Sequence, residues 1–431
     1  MTTTTRKHRA RRKAAEAPSP AAPAVKDYFR IDGEFAGVGA PIAERDISRW
    51  ILTDGRKMER EADFFDQLCW RLVGQGVPLW RATLHVGTLH PEIRGFGCRW
   101  WRERNVVEKF HVAHGAETSK DYLTSPIRDT VESGRMFRRR LETGPIDFPL
   151  LAKLRGQGAT DYFAAPLNIS VQRRHPVVTW ATDRPGGFTD ADLERLEAIR
   201  PALAAVVEAR SIRKIAKNLI EIYLGRDIGQ RIFYGQILRG AGEKMRAVIM
   251  ASDLRGFTRL SDRLSGETVI RLLDAYFEYV AAPVHAAGGE ILKFVGDGVL
   301  AIFPTNGGRE DDAAIKGLAV AREIITRLET HNSTCGDGTA RIRAGIGLHL
   351  GDVIYGNVGA PDRLDFTAIG PAVNLACRLE SLTKRFDRPV LASRAFADVC
   401  ARPLVSLGFQ PIRGLSEPEE LFGLPEHHAE A

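Results

Sequence analysis

The sequence predicts an α+β chain: a mixed α/β domain over residues 37–205, then a domain of βαββαβ order over 246–425. Three observations carry that expectation. At 431 residues the chain has room for two or three domains of ~100–200 residues each. Its 44% apolar and 27% charged residues are ordinary for a globular protein, which excludes collagenous and wholly disordered chains. Helical and strand periodicities alternate along the second half, around a tight Gly296-Asp297-Gly298 turn.

Charge adds an exclusion. The formal net charge is +7, but residues 1–13 hold six Lys/Arg and no acid, which leaves 55 basic against 54 acidic groups elsewhere. A nucleic-acid-binding core needs a basic face, and this neutral body gives it no support. Residues 1–26 read as a disordered basic tail, because Ala- and Pro-rich residues 14–25 stand where a signal peptide would be apolar. Weak attraction to an acidic membrane surface or partner is the alternative. No apolar run reaches the ~18 residues of a transmembrane segment. Five scattered cysteines (Cys69, Cys98, Cys335, Cys377, Cys400) form no CxxC pair. That excludes a disulfide framework and a zinc site, and it suits a cytoplasmic setting.

In the first domain, Ile47, Trp50, Ile51 and then Phe64, Phe65, Leu68, Leu72 follow helical spacing. Strand-like runs start at Arg81, Gly97, Val107, Asp161 and Pro176. Thr189 is a good N-cap for a closing helix with acids in its first turn. Two phrases, "DYFAAPL" and "GGFTDADLERLEAI", resemble GAF domains, small ligand-sensing modules, and imply a sensory or regulatory role. A plain α/β interaction domain is the alternative.

Residues 206–245 read as a helical linker or coupling element. Over 199–225 the stripe Ile199, Leu203, Val206, Ile212, Leu219, Ile222, Tyr223 fits either core packing or a parallel coiled-coil seam. Its place between two domains favours the seam.

In the second domain, 247–252 is a buried strand ending at Asp253, and Val269, Leu272, Leu273, Tyr276, Phe277, Val280 make an amphipathic helix. "GGEILKFVGDGVLAIFP" (288–304) is a hairpin. A helix near 310–330, strands 340–349 and 364–369, and a helix opening near Pro371 complete a ferredoxin-like sheet with helices on one face.

Two carboxylates stand at special positions: Asp253 ends a strand and Asp297 sits in the hairpin tip. Adjacent strand ends suit a pair of divalent ions about 3.5–4 Å apart. Hard oxygen ligands without His or Cys favour Mg²⁺ or Mn²⁺. Gly256, just beyond Asp253, lets backbone N–H groups approach an anion before the next helix.

These stretches, "SDLRGFTRLSDRL", "GGEILKFVGDGVLAIFP", "RAGIGLHLGDVIYGNVG" and "DFTAIGPAVNLACRLE", resemble the catalytic domain of class III adenylate/guanylate cyclases. The resemblance implies conversion of a nucleoside triphosphate to its 3′,5′-cyclic monophosphate and pyrophosphate, with two Mg²⁺ or Mn²⁺ ions. It assigns metals to Asp253, Leu254 and Asp297, and substrate contact to Gly256, Phe257 and Thr258. Lys293 and Thr367 match the purine-reading pair, and Lys with Thr resembles ATP-selective members. Asn374 and Arg378, one helical turn apart, match the catalytic pair that positions the ribose and stabilises charge on the α-phosphate. Arg413 stands where the family has a phosphate-binding Lys, and Cys377 where Ser is usual. The family's sites form between two chains, so the resemblance implies a homodimer with ATP at its interface. It also leaves room for a small-molecule ligand of the first domain. A catalytically silent nucleotide-binding protein and a guanylate cyclase are the alternatives. A diguanylate cyclase would need a Gly-Gly-(Asp/Glu)-Glu-Phe hairpin, and this hairpin reads Val-Gly-Asp-Gly.

Overall fold

A computed structural model of the chain describes residues 29–170, 175–305, 307–334 and 341–425. The predicted tail 1–26 and Cys335 lie outside those residues. The chain divides into two compact units between Asn218 and Leu219.

The first unit is built on a seven-stranded antiparallel sheet. Its strands are β1 (Phe29–Ala36), β2 (Arg81–Gly87), β3 (Ile93–Trp101), β4 (Val106–Ala113), β5 (Phe137–Arg140), β6 (Asp161–Pro166) and β7 (Val177–Thr182). They lie in the order β1-β4-β3-β2-β7-β6-β5. The helices are α1 (Ile47–Leu52), α2 (Glu61–Gly74), α3 (Lys120–Leu123), α4 (Pro126–Ser133), α5 (Pro149–Gly156), α6 (Asp190–Ala198) and α7 (Arg200–Leu224). Period-two alternation sorts β2 onto two faces. Ala82, Leu84 and Val86 join Phe64, Phe65 and Leu68 of α2 and Leu203 and Val206 of α7 in one core. Leu151 and Leu154 of α5 pack with Tyr162 and Val177 in a separate cluster. Thr189 caps α6 in a reciprocal capping box with Asp192.

Two expectations are corrected here. The sheet begins at Phe29, upstream of residue 37, because β1 pairs along β4. Ile199, Leu203 and Val206 are buried in this unit's own core, so that part of the stripe is packing rather than a seam between chains. Only the later positions Ile212, Ile222 and Tyr223 are exposed.

The second unit opens with α8 (Arg226–Phe233), then β8 (Gly242–Leu254), α9 (Phe257–Ser261), α10 (Gly266–Ala286) and the hairpin β9 (Glu290–Val295) and β10 (Gly298–Pro304). There follow α11 (Glu310–Thr334), β11 (Ala344–Ala360), β12 (Arg363–Ile369) and α12 (Pro371–Phe386). The end is β13 (Val390–Ser393), α13 (Arg394–Ala397), β14 (Val405–Gln410) and β15 (Glu419–Gly423). The strand order is β14-β15-β13-β11-β8-β10-β9, with β12 paired to β11. Val248 and Met250 of β8 face α10 and α11 in one core. Ala247, Ile249 and Ala251 face Ala372 and Ala376 of α12 in another.

The helices therefore cover both faces of the sheet, not one. The close approach of α12 has a local cause. A Cβ on Gly347 would stand 2.2 Å from the Ala376 carbonyl oxygen, so only glycine lets this helix lie so near β11.

Candidate active site

Antiparallel pairing of β10 with β8 sets Gly298 opposite Asp253, which brings the hairpin tip and Asp297 against the end of β8. A 2.6 Å hydrogen bond between the Ser252 and Tyr276 hydroxyls anchors the strand end to α10. The Asp253 carboxyl is pushed up to about 6, first by burial and then by the Asp297 charge, against the opposing pull of Lys384. Two carboxylates that repel each other in a partly buried corner are a donor set for a hard divalent cation. Leu254 has a hydrocarbon side chain, buried in the core, so its backbone carbonyl is the one oxygen it could offer as a ligand. Among the described residues, no three His, Cys, Asp or Glu side chains gather closely enough to hold a metal by themselves. Oxygens from outside the carboxylate pair, such as water, would complete the coordination.

Beyond Asp253, Gly256 takes a left-handed conformation (φ 77°) and opens the five-residue helix α9. Thr258 is exposed there, while Phe257 packs on the core.

A second group lies along β9, β12 and α12. The Lys293 ammonium bonds to Asp365 Oδ2 at 3.1 Å. Alternation along β12 puts Asp365 and Thr367 on the same side of the strand. Thr367 is buried, and its hydroxyl has no hydrogen-bond partner among the described residues. The Lys293 charge also reaches Cys377, where it opposes the upward push of burial on the thiol. Asn374 is exposed on that outer side of α12. Arg378 makes no ion pair among the described residues. Its guanidinium lies over Gly414, where a Cβ would come within 2.9 Å, and so sits beside Arg413 in the turn after β14. Arg413 itself is exposed.

The sequence-predicted residues thus fall into two groups: the Asp253–Asp297 pair, and the Lys293, Thr367, Asn374, Arg378, Arg413 set. Within one chain, no hydrogen bond or ion pair among the described residues joins Asp253 or Asp297 to Asn374 or Arg378.

Sequence reasoning missed Asp365 and Glu380. Asp365 was findable from its place two residues before Thr367 on a strand. Glu380 is buried on the inner side of α12, pushed up to about 7 by burial and then by Asp253. Nothing in the residue pattern singled it out from the polar positions of that helix.

Comparison with known proteins follows this geometry. Residues 241–388 match the family model "Adenylate and Guanylate cyclase catalytic domain". An adenylate cyclase of Anabaena cylindrica is 33% identical over 158 residues, covering 36% of this chain and 31% of that protein. The adenylyl cyclase CyaB from P. aeruginosa is 25% identical in structural alignment, covering 44% of this chain and 99% of that one, with a TM-score of 0.40. The guanylyl cyclase Cya2 is 30% identical, covering 44% and 97%, with a TM-score of 0.38. The chain spans less than half the length of the curated relatives it matches. With four ordered motifs and a strand register that sets the paired aspartates together, residues 241–388 carry the catalytic domain of the adenylate/guanylate cyclase family.

Proposed function

We propose that the chain is an adenylate cyclase, converting ATP to 3′,5′-cyclic AMP and pyrophosphate in sites shared by two copies. In this reading the GAF-like first unit is the regulatory part. The observation that carries the reaction is the register that sets Asp297 of the hairpin tip against Asp253 at the end of β8. Cyclases of this family use divalent ions and work as dimers. When bound, two Mg²⁺ or Mn²⁺ ions held by Asp253, Asp297 and the Leu254 carbonyl would lower the pKa of the ribose 3′-hydroxyl and neutralise the triphosphate.

The chain's own residues do the rest. Lys293 and Thr367 read the base: adenine offers an acceptor at N1 and a donor at N6, which suit an ammonium and a hydroxyl. Guanine carries a donor at N1 and would set the ammonium against another donor, a mismatch that makes such sites selective. The buried Thr367 hydroxyl, unsatisfied without a ligand, supports this choice. Asp365 holds Lys293 extended across β9 and β12 before the base arrives. Asn374 orients the ribose so that its 3′-oxygen lines up with the α-phosphorus. Arg378, free of ion pairs, donates to the α-phosphate oxygens as charge builds on them. Arg413 and the backbone of Gly256, Phe257 and Thr258 bind the outgoing phosphates.

Two copies account for the separation of the residue groups. The aspartates of one copy meet the Lys293-to-Arg413 set of the other, and each dimer has two sites. Purified chain given equal ATP and GTP with Mn²⁺ or Mg²⁺ tests the assignment. Cyclic AMP should greatly exceed cyclic GMP, and equal use of the two nucleotides would refute it.

A further inference from the structure

The first unit contains a cavity of about 820 Å³ that the cyclase chemistry does not use. It lies on the sheet face opposite the α2/α7 core. Alternation along β2 delivers Arg81, Thr83 and His85 to that face, and β7 adds Thr179 across from Thr83. The opposite wall is apolar, with Ile127 and Val131 of α4 and Leu150 of α5. A volume at the upper end of the ~300–1,000 Å³ seen for ligand pockets, with apolar walls and few polar groups, is the form of a small-molecule site.

The charges choose the ligand. Arg81, Arg94, Arg99, Lys120 and Lys153 line the cavity against a single carboxylate, Asp121. Arg94 is satisfied by Glu117 at 2.6 Å and Arg99 by Glu108 at 2.9 Å. Arg81 is only 8% exposed and has no ion pair or hydrogen bond among the described residues. The Trp101 ring lies 5.0 Å from the guanidinium carbon, and the charges of Arg99 and Glu108 act on it without pairing with it. Nearby, the Tyr162 hydroxyl has Thr179 beside it but no partner in good hydrogen-bonding geometry. Glu108 is already bonded to Arg99 and Arg104, and a buried guanidinium without a paired counter-charge of its own is costly, which points to a missing partner.

We propose that this cavity binds a small amphipathic organic anion, its headgroup paired with Arg81 and its apolar body against α4 and α5. The inference stands apart from the cyclase reading and would survive its failure.

The probe is 1-anilinonaphthalene-8-sulfonate, an aromatic anion, added to the full chain. All six tryptophans fall between Trp50 and Trp180, so energy transfer from tryptophan to the dye reports this unit. Wild type should bind the dye saturably, and Arg81→Met should weaken it about ten-fold or more, as loss of a charge-assisted pair requires. The uncharged N-phenyl-1-naphthylamine should bind both chains alike. Octanoate and octyl phosphate distinguish the headgroup, since the better competitor against wild type names a carboxylate or a phosphate. Melting of the ligand-free chain separates binding from structure. Arg81→Met should melt no lower than wild type, because it removes an unpaired charge. Equal dye binding by the two chains, displacement by neither competitor, or a markedly lower melting temperature for Arg81→Met would overturn the proposal.

Discussion

At the scale of single residues, Arg378 and the Lys293–Thr367 pair carry the sharpest expectations. Arg378 rests on Gly414 with no carboxylate paired to it among the described residues, which leaves its charge to a substrate. Arg378→Ala should lower kcat with little change in apparent ATP affinity, a loss of ~2.7–4 kcal/mol by analogy with removal of one preorganised donor. Steady-state kinetics decide it: a pure rise in KM would assign Arg378 to ground-state binding instead. Lys293→Glu combined with Thr367→Cys should erode the preference for ATP, read as the ratio of cyclic AMP to cyclic GMP. An unchanged ratio would take base reading away from these two positions. These residues were legible because each sits inside a long ordered motif. Asp365 opens one of those motifs and was findable there, but its role shows only once Lys293 is seen 3.1 Å away.

At the scale of elements, legibility followed the strength of local physics. The β9–β10 hairpin was visible because a Gly-Asp-Gly turn between apolar runs has few other solutions. Helices α2 and α10 were visible through their apolar period. β1 was missed because it is an edge strand, exposed over most of its length, with β4 as its one strand partner among the described residues. The placement of α12 on the second face was hidden too, because it depends on glycines of β11 that sequence alone reads as ordinary strand interruptions. Gly347→Ala tests that packing: a Cβ 2.2 Å from the Ala376 oxygen and 2.5 Å from the Glu380 nitrogen must push α12 away. A destabilisation of about 1–3 kcal/mol is expected. Gly266→Ala, at an open helix start with nothing within 4 Å, should be neutral or slightly stabilising. Thermal melts of the two variants check the contrast, and equal melting would mean the sheet tolerates the intrusion.

At the scale of the whole molecule, the two units answer to different probes. His85 is half-buried on the cavity wall beside Arg81 and Arg99, with its ring bonded to Thr83, and desolvation and then those two charges push it down to about 3. The unfolded chain therefore binds a proton that the folded unit refuses as pH falls from 6.5 to about 3. Stability from the neutral ring is complete above 6.5 and is lost below it. Urea titrations followed by tryptophan emission should show wild type weakening more steeply than His85→Gln over that acid range. Parallel curves would contradict it. For the second unit, the central claim is a cyclase whose aspartates and base-reading set meet only across two copies. Asp253→Ala and Asn374→Ala should each be nearly inactive alone. Co-expressed, they form a heterodimer with one site carrying both lesions and one carrying neither. Cyclic AMP production should then return to about a quarter of wild type for random pairing, or about half for pure heterodimer. No recovery, with the heterodimer shown to be present, would contradict the shared site.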